Sequence, residues 1–569
     1  MATNEGDDSE TKIKEQKKEE QGSCGTYPPI IGLNCNHFQL SDTSLPEACR
    51  CAALQQLKNY LHQQQENFLG YQVNQDVCYS KDLSFMLDIH TNNIGDPFEN
   101  GNCTVNTKIM ERAVLDHFAN LWHAKTPSIS EDKESYWGYV LSMGSTEGNL
   151  YALYNARDYL KGKALYREQN GDLSYVRPKK ENVSPNDDPK KKNAYHPVAF
   201  FSQDTHYSIT KIVRALEIRT FYEIGEKEYK GQCPITPDGQ WPKEVPSECG
   251  NEGPGSIDVD KLLTLVEFFA KTGSPPLIIL NIGTTFKGAY DDVEKVGRCL
   301  IPMLKKYGLD ERTVACDANK RTGYWIHVDG ALGASYLPYL QKAGGDIKEN
   351  IPKFDFSLPY VHSIVTSAHK YPGCPMPSGI YMTKRKYQIA PPSNPEYIGS
   401  QDTTFAGSRN AISPAVLWCY YSSTGDKNET NKAIQVERTA KYAEKKLREL
   451  DEEFQKDGHN LWVKRTPLAL TVRFRDPEEA TIIFKYSLSQ MSLKYNGEST
   501  PRKYVHIFIM QSVKEEKIDQ LIKDLRSAYK KLFLEQKKVV EQPMPVSTVN
   551  ENPHIQRVAF VPLDGRGFL

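Results

Sequence analysis

Short apolar runs alternate with helical periodicities through the middle of the chain. Each run has the length of a buried strand, and the stretches between the runs have the period of amphipathic helices. Alternation of this kind predicts an α/β domain whose mainly parallel sheet is covered by helices. The runs, which are rich in branched and aromatic residues, are Tyr139–Leu141, Val198–Phe201, Leu277–Leu280, Tyr324–Val328, Ser363–Thr366 and Gly379–Met382.

The two flanks of this region have different patterns. A mostly helical stretch, including Ser44–Glu66, precedes it. After about Ala411 the pattern predicts a small α+β domain with a long helix over Asn431–Asp451, strands near Leu468–Phe474 and Tyr504–Met510, and a helix over Glu515–Leu534. We therefore divide the chain into a disordered arm (1–25), an N-terminal helical segment (26–125), a large domain (126–410), a small C-terminal domain (411–536) and a tail (537–569).

Two hydrophilic stretches interrupt the alternation of strands and helices. They lie at about 161–192 and 223–255, and both are predicted to be surface insertions. The sequence assigns no function to these insertions, to the charged arm or to the residues after 540.

Composition excludes several classes of function. The 569 residues carry a formal net charge of -1, which gives no general attraction to nucleic acid or to anionic membranes. No apolar run is long enough to span a membrane, and the N-terminus lacks the apolar core of a signal peptide. The 12 cysteines include no CxxC pair of the kind that binds zinc. We therefore expect a cytoplasmic protein with reduced thiols that binds no metal, membrane or nucleic acid.

Candidate chemical groups follow several of the predicted strands. Ligands of open α/β sheets bind at the carboxyl ends of the strands, so side chains at these positions are candidates for a binding site. Ser145 and Thr146 begin a predicted helix, where backbone N–H groups and hydroxyls suit a phosphate, although ordinary helix capping explains them equally well. Asp329 has four interpretations: it binds a metal, acts as a base, pairs with a cationic ring nitrogen or caps the next helix.

Lys370 ends another apolar strand, which is unusual because burying an unpaired ammonium is costly. Burial lowers the pKa of a lysine and makes its amine a usable nucleophile. The alternative is a side chain that simply extends to solvent.

The order of these groups along the chain carries a family resemblance. In this order the sequence resembles the group II pyridoxal-phosphate-dependent decarboxylases, and most of all their histidine/serine decarboxylase branch. The resemblance runs from about Asn67 to Leu525. The segments that carry it are Asn92–Phe98, Tyr136–Tyr139, Ser145–Asn149, His206–Ser208, Gly283–Thr285, His327–Ala331, Ser367–Lys370, Gly373–Pro377 and Gly407–Asn410.

The resemblance implies a role for each matching residue. Lys370 matches the lysine that carries pyridoxal phosphate as a Schiff base, and Asp329 matches the carboxylate that pairs with the pyridine nitrogen. His206 matches the imidazole stacked on the cofactor ring, and Ala331 matches the small residue on the other face of the ring. The positions that contact the cofactor phosphate are matched by Ser145, Thr146, Ser367 and His369.

Two further matches concern the reaction. Thr285 matches a threonine close to the cofactor or substrate. Tyr397 matches a tyrosine on a mobile loop that returns a proton to Cα after CO2 has left, and the alternative is an ordinary loop tyrosine. The catalytic residues implied by the resemblance are therefore Lys370, His206 and Tyr397.

The same resemblance implies the fold and the assembly. The expected fold is that of the type I, aspartate-aminotransferase-like transferases, with a mainly parallel seven-stranded sheet and a small C-terminal α+β domain. The expected assembly is an obligate homodimer with its active site at the interface. The expected activity is that of a carboxy-lyase, which converts a free L-amino acid to its primary amine and CO2.

The substrate is less narrowly defined by the resemblance. Histidine is the leading candidate, followed by serine, an aromatic amino acid or a non-standard amino acid of secondary metabolism. The sequence is also compatible with an aldehyde synthase that oxidises the carbanion, with a different pyridoxal reaction and with a catalytically inactive binding protein. Gln72 follows Gly70 and Tyr71 where plant-type members have proline, which weakens any transfer of substrate identity. Two smaller departures are Ala368 before His369 and Ala411 after Asn410, where relatives often have glycine.

Overall fold

The structure is a computed structural model. It describes residues 30–128, 132–167, 173–176, 193–314, 317–344, 351–390 and 392–541. The predicted arm, much of the 161–192 insertion and the tail beyond Glu541 lie outside the described residues. The chain divides into two compact units: a smaller one, which ends at Tyr71 and also includes Glu479–Leu488, and a larger one formed by Gln72–Glu478 and the residues from Ser489 onward. The predicted domain boundaries stay a prediction.

Strands and helices alternate through the larger unit as the sequence predicts. The strands are β1 (Tyr136–Leu141), β2 (Ala164–Arg167), β3 (Leu173–Val176), β4 (Val198–Phe200), β5 (Pro276–Asn281), β6 (Arg312–Val314), β7 (Asp317–Arg321), β8 (Trp325–Asp329), β9 (Ser363–Ser367), β10 (Gly379–Lys384), β11 (Thr471–Arg475), β12 (Ser489–Leu493) and β13 (Arg502–Phe508).

The α-helices of the described residues include both long and single-turn elements. They are α1 (Glu47–Asn67), α2 (Ser80–Leu83), α3 (Lys108–Leu121), α4 (Ser145–Leu160), α5 (Tyr207–Ala215), α6 (Phe221–Glu228), α7 (Val259–Ala270), α8 (Val293–Lys305), α9 (Leu337–Ala343), α10 (Ile412–Gln455), α11 (Ala480–Tyr486) and α12 (Glu515–Glu541).

A six-stranded sheet forms the centre of the larger unit, in the order β1-β10-β9-β8-β5-β4. The neighbouring strands β4, β5, β8 and β9 pair in parallel, whereas β10 runs antiparallel to both β9 and β1. The six apolar runs of the sequence are these six strands, so the mainly parallel sheet is confirmed. The resemblance implied seven strands, and six are hydrogen-bonded in this sheet among the described residues.

Burial on both faces explains why these strands are continuously apolar. Every residue of β1, β5, β8 and β9 is buried. One face packs against α4 and α5 in a core rich in aromatic residues, in which Tyr151 stacks on Trp137 and meets Tyr381 edge to face. Large aromatic side chains contribute most of the area removed from water in such a core. The carboxyl ends of the parallel strands are thereby held in a rigid frame.

A three-stranded antiparallel sheet, in the order β11-β13-β12, lies in the C-terminal part of the larger unit. Helices α10 and α12 contact each other, as expected for the predicted α+β arrangement. Strand β12 was not predicted, because its residues Ser489–Leu493 have little strand propensity and it pairs with β13 alone. Helix α10 is longer than predicted and is interrupted at Gly425, whose φ of 67° is not helical.

The stretch 223–255 is not simply a surface insertion. Trp241 is buried, and its ring centroid lies 5.3 Å from that of Phe268 and 5.7 Å from that of Phe269. It also covers Gly225, where an added Cβ would lie 2.2 Å from the indole ring. The prediction was wrong here because widely spaced apolar anchors in a hydrophilic stretch leave no periodic signal.

Two further expectations concern the cysteines and the membrane. Cys35 is disulfide-bonded, which contradicts the expectation of reduced thiols at this residue, and a bond of this kind depends on spatial proximity that sequence does not show. Cys49, Cys51, Cys78, Cys103, Cys233, Cys249, Cys299, Cys374 and Cys419 are free. In the part of the chain that the structure describes, no helix has the length and apolar character needed to cross a bilayer.

Candidate active site

A cavity opens at the carboxyl ends of the parallel strands, where the sequence analysis expected a ligand. Its space between atoms amounts to about 330 Å³, a volume that includes open solvent. Six of the ten predicted site residues line it: Ser145, His206, Thr285, Asp329, Ala331 and Lys370. The other lining residues are Asn281, Gly283 and Thr284.

Lys370 lies just beyond β9, with its amine in this cavity. Loss of surrounding water lowers the pKa of Lys370 to about 8, although the Asp329 carboxylate acts in the opposite direction. At pH 7 about one tenth of such an amine is neutral, compared with about one part in 3000 for a pKa of 10.5. The site therefore makes Lys370 a usable nucleophile near neutral pH.

Asp329 is the last residue of β8 and is only 5% exposed. Its Oδ2 accepts a hydrogen bond from Nδ2 of Asn149 at 2.8 Å, and its Oδ1 accepts one from the backbone N–H of Ala331 at 3.2 Å. These two donors hold the carboxylate in one orientation beside the cavity. Asn149 was not predicted as a site residue, although it belongs to the Ser145–Asn149 segment that carried the resemblance.

Hydroxyl and N–H groups meet at the N-terminus of α4. Oγ of Ser367 donates to Oγ of Ser145 at 2.9 Å and accepts from the backbone N–H of Ser145 at 3.1 Å. Gly144 caps the helix with a φ of 73°, and an added Cβ there would lie 2.7 Å from the ring of His369. Burial, with a contribution from Lys370, lowers the pKa of His369 to about 4. Ser367 and His369 thus surround the helix terminus rather than line the cavity.

Two further predicted site residues, Thr146 and Tyr397, do not line the cavity. Thr146 lies in the first turn of α4 and does not line the cavity. Tyr397 is 79% exposed in the short 3-10 helix Glu396–Ile398. The carbonyl oxygen of Ile398 in the same short helix accepts a hydrogen bond from the backbone N–H of Asn102 at 2.7 Å, and Tyr397 does not line the cavity.

His206 caps helix α5 with its ring. Its Nδ1 accepts a hydrogen bond from the backbone N–H of Ser208 at 3.3 Å, so the ring proton of the neutral imidazole is on Nε2. The preceding residue, Thr205, accepts a hydrogen bond from Nδ2 of Asn281 at 2.9 Å. Asn281 was not predicted, and its polar side chain at the end of the apolar strand β5 was the signal available.

Gln72 is buried next to one wall of the cavity. Its Nε2 donates to the backbone carbonyl of Thr285 at 3.4 Å, and its Oε1 is buried without a hydrogen-bond partner in the structure. An unpaired buried acceptor costs about 1–3 kcal/mol. The residue that departs from the plant-type sequence pattern is therefore placed beside the site.

Comparison with known proteins identifies the family. The sequence profile described as the pyridoxal-dependent decarboxylase conserved domain matches residues 81–457. The chain belongs to this family of decarboxylases. Among solved structures, it is 43% identical to L-methionine decarboxylase from Streptomyces sp. 590, with a TM-score of 0.78 over 87% of this chain and 98% of that one. That enzyme has been solved in its internal aldimine form and with L-methionine methyl ester.

Curated relatives are less similar and have different substrates. The histidine decarboxylase of Mesorhizobium japonicum is 31% identical over 75% of this chain and 87% of its own length. The histidine decarboxylase of Solanum lycopersicum is 29% identical over 83% of this chain and 87% of its own length. Serine decarboxylase 2 of Oryza sativa is 28% identical over 80% of this chain and 73% of its own length. The pyridoxal-dependent decarboxylation of an amino acid is thus shared by relatives with different substrates.

The residues of this decarboxylase fit pyridoxal phosphate. The cavity contains one lysine of lowered pKa and one carboxylate, and the terminus of α4 offers hydroxyls and backbone N–H groups at its edge. The glycine at residue 144 leaves space there that a side chain would fill. Pyridoxal phosphate has an aldehyde, a basic ring nitrogen and a phosphate. The lysine amine, the carboxylate and the helix N-terminus, respectively, are the complementary groups of this site.

Proposed function

We propose that this decarboxylase acts on L-methionine and releases CO2 and 3-methylthiopropylamine. The observation that carries the proposal is the 43% identity to a methionine decarboxylase over 98% of that enzyme. The histidine decarboxylases reach 31% and 29%. Gln72 weakens the transfer of the plant-type substrates, because it departs from the plant-type pattern and lies beside Thr285. Histidine remains the second candidate, favoured by the number of curated relatives that act on it.

The site residues take the following roles in this proposal. Lys370 binds pyridoxal phosphate covalently, and Asp329 holds the proton on its ring nitrogen. When bound, the protonated ring accepts the electron pair that CO2 leaves behind. His206 and Ala331 pack against the two faces of the ring. The phosphate is held by Ser145, Thr146, Ser367 and His369, while Thr285 contacts the cofactor or substrate.

A competition experiment tests the substrate. Purified protein with pyridoxal phosphate is given equimolar L-methionine and L-histidine, and both amines are quantified by mass spectrometry. We expect 3-methylthiopropylamine to exceed histamine by about tenfold or more, the ratio that one well-placed pocket contact produces. An excess of histamine would indicate that histidine is the substrate. If neither amino acid released CO2, the proposal that the substrate is methionine would be contradicted, and so would the second candidate, histidine.

Gln72→Pro, which restores the plant-type residue, is the matched variant for this competition. We expect it to lower kcat/KM for methionine relative to histidine. An unchanged ratio with intact folding would show that Gln72 does not select the substrate.

A second copy of the chain completes the site in this proposal. Tyr397 is 79% exposed and does not line the cavity of its own chain. Large apolar side chains are exposed in the same unit: Leu87 (81%), Ile109 (79%), Met143 (59%) and Phe85 (57%). Exposed apolar surface of this kind is typical of protein interfaces. The homodimer therefore buries these side chains and places Tyr397 in the site of the partner subunit.

Tyr397→Phe is expected to slow amine formation by about 10²–10⁴-fold, the contribution of a positioned proton donor. Aldehyde and peroxide should rise, because a carbanion that is not protonated remains open to oxygen. Mixing with Lys370→Ala subunits should restore activity, since a mixed dimer has one site with both Lys370 and the partner's Tyr397. When the two variants are mixed in equal amounts, about half of the dimers are mixed, and each mixed dimer has one intact site out of two. The expected activity is therefore about one quarter of the wild-type value.

The mixed dimers also decide between the two possible placements of the tyrosine. If Tyr397 served its own chain, no combination of these two variants would contain an intact site. Absence of complementation, with mixed dimers demonstrated, would therefore contradict the proposed arrangement.

A further inference from the structure

A chain of five buried side chains runs through the sheet to Asp329. Nε1 of Trp325 donates to Oγ of Ser363 at 3.1 Å, and this oxygen lies 2.8 Å from Nδ1 of His327. Nε2 of His327 lies 2.7 Å from Oδ1 of Asn149, whose Nδ2 donates to Asp329 at 2.8 Å. None of the five residues is more than 5% exposed. Water therefore does not compete for these groups, and their hydrogen bonds depend on one another.

At the first end, Trp325 determines the direction of one hydrogen bond. An indole N–H can only donate, so Oγ of Ser363 must accept from it. The single hydroxyl proton of Ser363 is then available for Nδ1 of His327, which lies at hydrogen-bond distance. In this arrangement Nδ1 carries no proton.

The direction of the hydrogen bonds around His327 is determined at the other end by Asp329. An ionised carboxylate can only accept, so Asn149 must present its amide NH2 group to Asp329. The amide oxygen of Asn149 is then directed to His327 and must accept a proton from Nε2. The Asp329 end therefore requires the neutral tautomer of His327 that is protonated on Nε2 alone, and the Trp325 end is compatible with it.

The surroundings of His327 agree with a neutral ring. Complete burial lowers the pKa of His327 to about 4, and the Asp329 carboxylate and Ser363 oppose this only in part. A cationic ring would donate from both nitrogens, which would leave the hydroxyl proton of Ser363 without its acceptor. The neutral ring satisfies every member of the chain.

We propose that Trp325, Ser363, His327 and Asn149 are positioning residues that act through Asp329, a proposal that rests on the proposed role of Asp329 toward the cofactor. Every hydrogen-bond donor in the chain points toward the carboxylate. The aligned dipoles stabilise its negative charge and keep it in one orientation, as preorganised groups do in low-dielectric sites. His327 is the central member, because its tautomer must match the way the amide of Asn149 faces.

Nitrogen-15 NMR of the holoenzyme tests the tautomer directly. The chain has 13 histidines, and the signals of His327 are assigned by their loss in His327→Gln. We expect an Nε2–H, Nδ1-unprotonated ring from about pH 6 to pH 8. An Nδ1–H tautomer or a cationic ring over this range would overturn the proposal.

Asp329→Asn gives a readout that a purely structural role would not change. The backbone N–H of Ala331 holds Oδ1 of residue 329, so the new amide NH2 should face Asn149. Asn149 must then turn its oxygen toward residue 329, and His327 should switch to the Nδ1–H tautomer. Asp355→Asn is the matched control, since this buried aspartate contacts His123 and should leave His327 unchanged. A failure of His327 to switch would contradict the proposed chain.

Ser363→Ala tests whether the chain affects cofactor binding. We expect the Kd for pyridoxal phosphate to rise about tenfold, the scale of one lost buried hydrogen bond, with His327 still protonated on Nε2. A lower Tm with an unchanged Kd would mean that the chain is only structural. The Asp329→Asn variant separates failure of the hydrogen-bonded chain from failure of the proposed role of Asp329. If His327 switches tautomer in this variant while the Kd for pyridoxal phosphate is unchanged, the chain is confirmed and the proposed role of Asp329 toward the cofactor is contradicted.

Discussion

Lys370→Ala is expected to lose nearly all amine production, because no amine remains in the described cavity to bind pyridoxal phosphate covalently. The variant should also lose the visible absorbance of lysine-bound pyridoxal phosphate. Lys370 is the lysine that lines the described cavity, and its amine is partly neutral at pH 7 because burial lowers its pKa to about 8. Steady-state turnover and the absorbance spectrum of the purified variant measure both effects.

A second buried lysine provides the matched control. Burial also lowers the pKa of Lys287, but its amine forms an ion pair with Asp204 at 3.1 Å and does not line the cavity. Borohydride reduction of the wild-type holoenzyme followed by peptide mapping should therefore place the cofactor on Lys370 and leave Lys287 unlabelled. A label on Lys287, or amine production retained in Lys370→Ala, would contradict the assignment of Lys370.

Most of the frame around the site could be predicted from sequence. Strands buried on both faces must be apolar throughout, so each of the six runs was visible without structural information. The connection from strand to helix then placed Asp329 and Lys370 at the carboxyl ends of neighbouring strands. Their common cavity follows from the parallel pairing of β8 and β9, in which Asp329 is paired with Val365.

The remaining features depend on contacts between distant parts of the chain. Asn149 acquires its importance from Asp329, which is 180 residues away in sequence. Trp241 packs on Phe268 and Phe269 from within a hydrophilic stretch, where no period reveals it. Tyr397 was identified by resemblance alone, and a single chain does not bring it to the cavity. Features of this kind require the folded chain, or a second copy of it, before they can be recognised.

The same distinction applies to substrate choice. The chemistry of the reaction is carried by residues at strand ends, whose positions the sheet fixes. We propose that selection among amino acids depends instead on side chains such as Gln72, which approaches Thr285 from a segment that is 213 residues away in sequence. A family resemblance therefore specified the reaction correctly, while the identity of the amino acid stayed a prediction.

Asp329→Ala is expected to lower kcat by about 10²–10³-fold even when pyridoxal phosphate is saturating, the usual cost of losing one electrostatic partner at the point where charge develops. In the proposed role, Asp329 would keep the ring nitrogen of the bound cofactor protonated, and without this carboxylate the ring would be a poorer acceptor of the electron pair released with CO2. The kcat of the variant, measured with increasing amounts of cofactor, separates this effect from weaker cofactor binding.

Asp158→Ala is the control for that measurement. Asp158 is also buried and charged, but it pairs with Arg157 and Lys163 outside the cavity. Its loss should lower Tm and leave the kcat of the folded protein unchanged. If Asp329→Ala behaved in the same way, with full kcat at saturating cofactor, the carboxylate would be a structural group and the electron-accepting state of the ring would have to be maintained by another residue. The buried chain from Trp325 to Asn149 would then orient a carboxylate that the reaction does not need. The comparison of Asp329→Ala with Asp158→Ala therefore tests both the proposed role of Asp329 and the proposed role of the chain.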